Sequence, residues 1–372
     1  MYISNTATQN LLDVILKMKV TDDEVLFIML GEKDNLHLPL FISELNELNI
    51  SFFGGIFPGI IYDEQKYEEG AIVTKFPVLG KPLLVKGLDS GNIDLPDMTE
   101  ILKILNKKYA AMILVDGLTG NISRFLTLLY SKLANSVNYF GGGAGSLTLK
   151  QKPCIFTSAG LFQDAAVIVF LQLECQLGVR HGWERIMGPI VATETDRNTI
   201  IELNWNKAFD VYREIVERDS GKKITANNFF DIAKGYPFGM LKQYAECVVR
   251  DPITVGSNGE LICVGEIPEN SVLDILKGEA TSLIDAAGQA AGACKTASGK
   301  KVTHSFIVDC ISRVLFLENN FYRELHEIKT KFKGIDQYSV PMGMLTLGEI
   351  SSYGEGFLEF FNKTIVTGIL YE

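Results

Sequence analysis

Strand-length apolar runs, set apart by stretches of helical spacing, constrain this chain more than any other feature. Residues 25–30 (VLFIML) and 110–115 (AAMILV) are apolar on both faces, as strands buried in a mostly parallel sheet must be. Residues 50–57, 71–76 and 137–140 read as further strands. Between them, Leu38, Ile42, Leu45 and Leu48 predict a helix over 39–48, and Ile122, Phe125, Leu126, Leu129 and Leu133 predict another. Asp97-x-x-Glu100 predicts a capping box opening a helix whose apolar positions are Ile101, Leu102, Leu105 and Tyr109.

After Pro153 the pattern turns to paired strands. Residues 154–158 and 165–173 flank a glycine-containing connection, and 189–194 and 199–203 flank the polar turn 195–198 as a hairpin would. Ala208, Phe209, Tyr212, Ile215 and Val216 mark an amphipathic helix. Residues 247–255 and 261–267 surround Asn258-Gly259, a strong hairpin signal. Residues 280–297 predict a helix crowded with small residues, in which Gly288 and Gly292 favour close packing. A strand over 302–310, a helix over 319–332 and strands over 343–350 and 364–371 complete the chain, and no internal repeat stands out. The fold class is mixed α/β (α+β): two sheet-containing halves, 1–203 and 204–372, closely packed with flanking helices. At 372 residues the chain exceeds what one core usually holds.

Thirty-five basic against 45 acidic residues leave a net charge of −10, which repels phosphate backbones and anionic membranes. The most apolar stretch, 165–173, has the length of a strand and falls short of a bilayer span. The first ten residues lack the basic start of a signal peptide, so a cytoplasmic location is expected. None of the six cysteines forms a C-x-x-C or stands at zinc-finger spacing from a histidine, which argues against a disulfide scaffold or a structural zinc.

Several constellations invite a chemical reading. Gly141, Gly142, Gly143 and Gly145 resemble a phosphate cradle, but the following SLTLK reads as extended rather than helical. The alternatives are a tight turn, or room for a ligand beside exposed amides. His181-Gly182-Trp183 offers an imidazole beside a flat apolar wall, or a packed pair at a strand end. Cys310, with Arg313 three residues on, is either a buried thiol or a nucleophile activated by a cation. Arg250 and Glu349 stand at strand ends, where they could clamp the carboxylate and ammonium of a zwitterion or simply pair with each other.

In order along the chain, NYFGGGAGS (138–146), GVRHGWERIMGP (178–189), NWNKAFDVYREIVE (204–217), VRDP (249–252), CISR (310–313), GEI (348–350) and NKT (362–364) together resemble the FIST proteins, named for F-box and intracellular signal transduction. The resemblance spans nearly the whole chain, an N-terminal module over 1–203 and a C-terminal module over 204–372. It implies a sensory domain that binds small ligands such as amino acids and works with histidine kinase, chemotaxis or cyclic-dinucleotide components. Some relatives are haem proteins that sense nitric oxide through a histidine on the iron. The chain ends at Glu372 without an output domain, so the signal is expected to pass to a separate partner.

With no triad, metal cluster or paired carboxylates in the sequence, the leading expectation is a non-enzymatic, cofactor-free sensor. It would bind a small polar metabolite in a cleft lined by the glycine run, His181, Trp183, Arg250, Cys310, Arg313, Glu349 and Asn362. The alternatives are a haem b gas sensor with His181 on the iron, and a thiol-dependent enzyme using Cys310.

Overall fold

The computed structural model describes residues 1–106, 108–242, 247–295, 300–352 and 358–372. Helix and strand are mixed as predicted. The strands nevertheless follow a plan that apolar patterning does not reveal, because three stretches of chain build the same unit. In each, a first strand (Glu24–Gly31, Tyr109–Asp116, Val302–Cys310) leads through helix into a second (Phe52–Phe57, Asn138–Ala144, Met342–Thr346) parallel to it. A hairpin follows: Gly59–Tyr62 with Gln65–Tyr67, Ile155–Thr157 with Gly160–Phe162, or Glu349–Ser352 with Leu358–Phe361. A last strand (Ala71–Pro77, Ala165–Arg180, Ile365–Tyr371) then returns antiparallel on the far side of the first.

The hairpins are exchanged in a cycle. That of the first unit pairs with the second strand of the third, that of the second with the first, and that of the third with the second. Registers agree residue for residue. Gly54, Gly141 and Gly343 face Ile28, Ile113 and Ile307 on one side, and Phe156, Ile350 and Ile61 on the other. The chain therefore carries an internal repeat after all, held by backbone pairing and three glycines, with few shared side chains to betray it. The last strands of units two and three pair with each other, merging both halves of the chain into one 11-stranded sheet.

Between units two and three, an antiparallel sheet closes on itself. Its order is Glu184–Asp196, Val272–Lys277, Phe238–Met240, Val248–Val255, Leu261–Val264 and Thr199–Leu203. The first of these seals the barrel by pairing with Val272–Lys277 through its start and with Thr199–Leu203 through its end, its register shifting along the way. The Asn258-Gly259 hairpin forms as predicted, with Gly259 in the left-handed region. Helix Ala208–Ser220 places Tyr212 and Val216 in the core with Phe229, Phe238 and Leu261.

Local expectations fail where pairing overrules pattern. Asp97 accepts from the Thr99 amide and hydroxyl rather than capping, and helix Thr99–Ile104 ends where Leu105 turns extended, leaving Tyr109 to open a strand. Residues 154–158 do not pair with 165–173, since their strand is already held between Phe52–Phe57 and Gly160–Phe162. Residues 343–350 split at Gly348, whose φ of 126° turns the chain into the third hairpin. The small-residue helix spans Ala280–Ala293, and residues 296–297 of its predicted extent lie outside the described residues. Among the described residues no helix is long and apolar enough to cross a membrane.

Candidate functional site

Most of the scattered segments converge on one tripeptide, Asn362-Lys363-Thr364, in the bend that leads into the last strand. Lys363 is fully buried with φ at 51°, a left-handed conformation that a non-glycine residue keeps only when its surroundings hold it. Its carbonyl accepts the Trp183 indole N–H (2.9 Å) and an Arg313 Nη1–H (3.4 Å). Its Nζ donates to the Lys234 carbonyl (2.9 Å), pairs with Asp251 Oδ2 (3.1 Å) and lies 4.9 Å from the Trp183 ring centre. On either side, Asn362 Oδ1 accepts from Arg250 Nη1 (3.3 Å) and the Thr364 N–H donates to Glu349 Oε2 (3.1 Å).

Burial sets the electrostatics. Arg313 donates to Glu324 and to the carbonyls of His181 (2.6 Å) and Leu283 (3.0 Å), and its Nε lies 3.3 Å from Asp309 Oδ1. Burial opposes its charge, but Glu324 and then Asp309 outweigh burial and hold its pKa above the ordinary value. Asp309 is pushed well up, by burial first and Glu324 second. Burial raises Glu349 to about 8 despite hydrogen bonds from Thr346 and Thr364, and lowers Arg250. Burial, then Arg313 and Arg180, lowers His181 to about 4.

A cavity of about 730 Å³ lies in front of this network. The barrel supplies one wall, through Asp251, Ile253, Thr254 and the turn 263–266. The turn at 117–123 after the first strand of unit two, and Cys310 with the opening of helix Ile311–Leu317 after the first strand of unit three, supply the other. Leu147 and Leu149 stand half-exposed beside it. On its floor, Ser312 Oγ donates to Asp251 Oδ2 (2.9 Å). Among the described residues, Asp251 Oδ1 and Asn362 Nδ2 have no hydrogen-bond partner, although both residues are almost wholly buried. Unsatisfied groups so deep are costly and call for an explanation.

Of the residues put forward from sequence, Cys310 and Asn362 line this cavity. Arg250 borders a second hollow of about 460 Å³ alongside it. Gly141, Gly142 and Gly143 lie inside a buried strand, not a loop, and the Gly143 and Gly145 amides are already bonded to Gly348 and Ile56. They act as close-packing residues rather than a ligand loop. Arg250, Arg313 and Glu349 spend their polar atoms behind the cavity floor, so no arginine–glutamate clamp is open to a zwitterion there. His181 Nδ1 accepts the Trp183 N–H (2.9 Å) and Nε2 lies 3.5 Å from Cys247 Sγ, so iron at either nitrogen would first have to displace a contact. Burial, then Glu349, pushes the Cys310 thiol well above its ordinary pKa, away from a nucleophilic thiolate. Sequence reasoning passed over Asp251, although it lies inside the VRDP segment. An acid just before a proline in a barrel strand was its only local signal.

The raised Glu349 carboxyl gives a pH test. A group whose folded pKa exceeds its unfolded one contributes stability that is full below about 4.5 and lost as pH rises through about 8. His181, lowered instead, loses its contribution only as pH falls below 6.5 toward 4. Between pH 6.5 and 8.5 the native chain should therefore lose stability in urea melts, and Glu349→Gln should flatten that decline. An unchanged slope would remove Glu349 as its source.

The FIST N domain matches residues 25–206 and the FIST C domain matches residues 208–352, a boundary that falls between the Thr199–Leu203 strand and helix Ala208–Ser220. No curated protein matches the chain. The chain belongs to the FIST family, whose N and C domains are sensory domains of signal transduction.

Proposed function

We propose that the 730 Å³ cavity is the sensory site and that it binds a small polar metabolite without chemical conversion. One observation carries this: a buried acceptor, Asp251 Oδ1, and a buried donor, Asn362 Nδ2, stand unpartnered on the floor of a hollow between two distinct sheets. A ligand that satisfied both would favour one seating of the barrel against the three-unit body. Such preference is what lets a ligand move a conformational equilibrium. The signal would pass to a separate cytoplasmic partner, such as a kinase or chemotaxis component. Amino acids remain the first class to screen.

A thermal-shift screen over amino acids and other small polar metabolites tests the proposal. A ligand at about 100 times its Kd adds roughly 2.7 kcal/mol to stability. Asn362→Leu should abolish the shift, and a hit that persists undiminished would place the site elsewhere. Fluorescence gives a second readout, because the chain has two tryptophans, Trp205 77% exposed and Trp183 buried behind the floor. Trp205→Phe should change stability by less than about 0.5 kcal/mol and leave a blue-shifted emission from Trp183 that responds to ligand. Red-shifted emission from that variant would contradict the burial of Trp183.

A further inference from the structure

The cavity is larger and more apolar than a free amino acid needs. Hollows of about 300–1,000 Å³ hold ligands of drug size, and this one measures about 730 Å³. On its floor Asp251 Oδ1 requires a donor and Asn362 Nδ2 an acceptor. Asp251 Oδ2 is already engaged by Lys363 and Ser312, so the orientation of its carboxylate is fixed. Toward solvent an apolar stretch of the lining stands beside the exposed, charged Asp89 and Arg197. Leu147 and Leu149 are 41% and 48% exposed, Phe230 and Leu315 are half-buried, and all four line the same hollow. Leu149 is held at φ 54°, strain that its surroundings must sustain. Exposed leucines gathered at the mouth of a cavity mark an apolar binding surface.

Building on the reading of this cavity as the sensory site, we infer that its ligand is an amide-bearing amphiphile rather than a wholly polar metabolite. It is a secondary amide whose N–H is accepted by Asp251 Oδ1 and whose carbonyl accepts from Asn362 Nδ2. Its apolar substituent runs along Phe230 and Leu315 to Leu147 and Leu149. The amide supplies one donor and one acceptor, on opposite edges of its trans plane, and the substituent fills the volume that an amino acid leaves empty. An N-acylated amide and an apolar dipeptide share this chemistry.

Calorimetric titration of the full chain with N-octanoyl-glycinamide, leucyl-leucine, octanoate and L-leucine tests it. The octanoyl amide or the dipeptide should bind at least tenfold more tightly than octanoate or leucine, and whichever does so identifies the source. Shortening the acyl chain should weaken binding by about fourfold per methylene. Asn362→Leu should weaken the amide at least tenfold. Because that change also strips Arg250 of an acceptor, the exposed pair Leu147→Ser and Leu149→Ser provides a variant that spares the core. It should weaken the octanoyl amide and leave acetyl-glycinamide unaffected. Equal binding of octanoate, or amide binding indifferent to both variants, overturns the inference. If leucine alone binds and is lost in Asn362→Leu, the amide class falls while the sensory site stands. Silence from all four probes also ends the amide class, and the wider screen then decides the sensory site separately.

Discussion

Replacing Arg313 with methionine should cost about 3–5 kcal/mol, a large part of the roughly 5–15 kcal/mol that holds a typical domain folded. The guanidinium has no exposed surface, and neither have Asp309 and Glu324 beside it. Removing it leaves two buried carboxylates without their cation and frees the carbonyls of His181, Leu283 and Lys363 from a donor. Protonation can relieve Asp309, whose pKa burial already raises, but the desolvation of both acids persists. Arg313→Lys should recover only part of the loss, because an ammonium cannot span the same acceptors as a planar fork. The repeat supplies the complementary experiment. In the register of the first strands, Asp309 stands where the other two units carry Leu30 and Val115. An apolar side chain therefore fits that position in the common framework. Arg313→Met combined with Asp309→Val and Glu324→Leu should regain most of the stability lost by Arg313→Met alone. Urea melts at pH 7 decide it. A loss below about 1 kcal/mol for the single variant would mean that Arg313 does not hold the buried cluster together as described.

What was legible in the sequence followed from burial, and what was hidden followed from pairing. Runs such as 25–30 and 110–115 declare strands because both their faces are covered, and the spacing from Ile122 to Leu133 declares a helix because one face is. Strand partners are set by hydrogen bonds between distant backbones. The hairpin exchange, the barrel closed by Glu184–Asp196 and the three-unit repeat therefore leave almost no local trace. The site divides in the same way. Arg250, Arg313, Glu349, Trp183 and Asn362 stand out in the sequence as candidates to line a ligand cleft. Their convergence on Lys363 and their position behind a floor rather than around a ligand are consequences of the fold. Asp309 looked like an ordinary strand residue until Leu30 and Val115 showed what the framework would otherwise place there.

Gly343→Ala should be nearly as damaging as loss of Arg313, at about 3 kcal/mol or more, and Gly141→Ala and Gly54→Ala should behave alike. At each position a Cβ would overlap the carbonyl oxygen of the isoleucine facing it, in Ile307, Ile113 and Ile28 respectively. That neighbour is backbone within a ladder, so it cannot swing aside as a side chain would. Relief requires the second strand of the unit to move off the first. Each second strand also carries another unit's hairpin. A displacement at Gly343 is therefore passed to the Gly59–Tyr62 hairpin of unit one, and a displacement at Gly141 to Glu349 and the bonds that hold Thr364. The cost should appear as cooperative destabilisation of the whole chain rather than local fraying, with one transition and an unchanged dependence on denaturant. Gly292 is the control. It lies in helix Ala280–Ala293 with open space where a Cβ would go, so Gly292→Ala should leave stability unchanged or raise it by up to about 1 kcal/mol. If Gly343→Ala melts like Gly292→Ala, the close approach of paired strands does not hold the three units in register, and the cyclic exchange of hairpins must rest on side-chain packing instead.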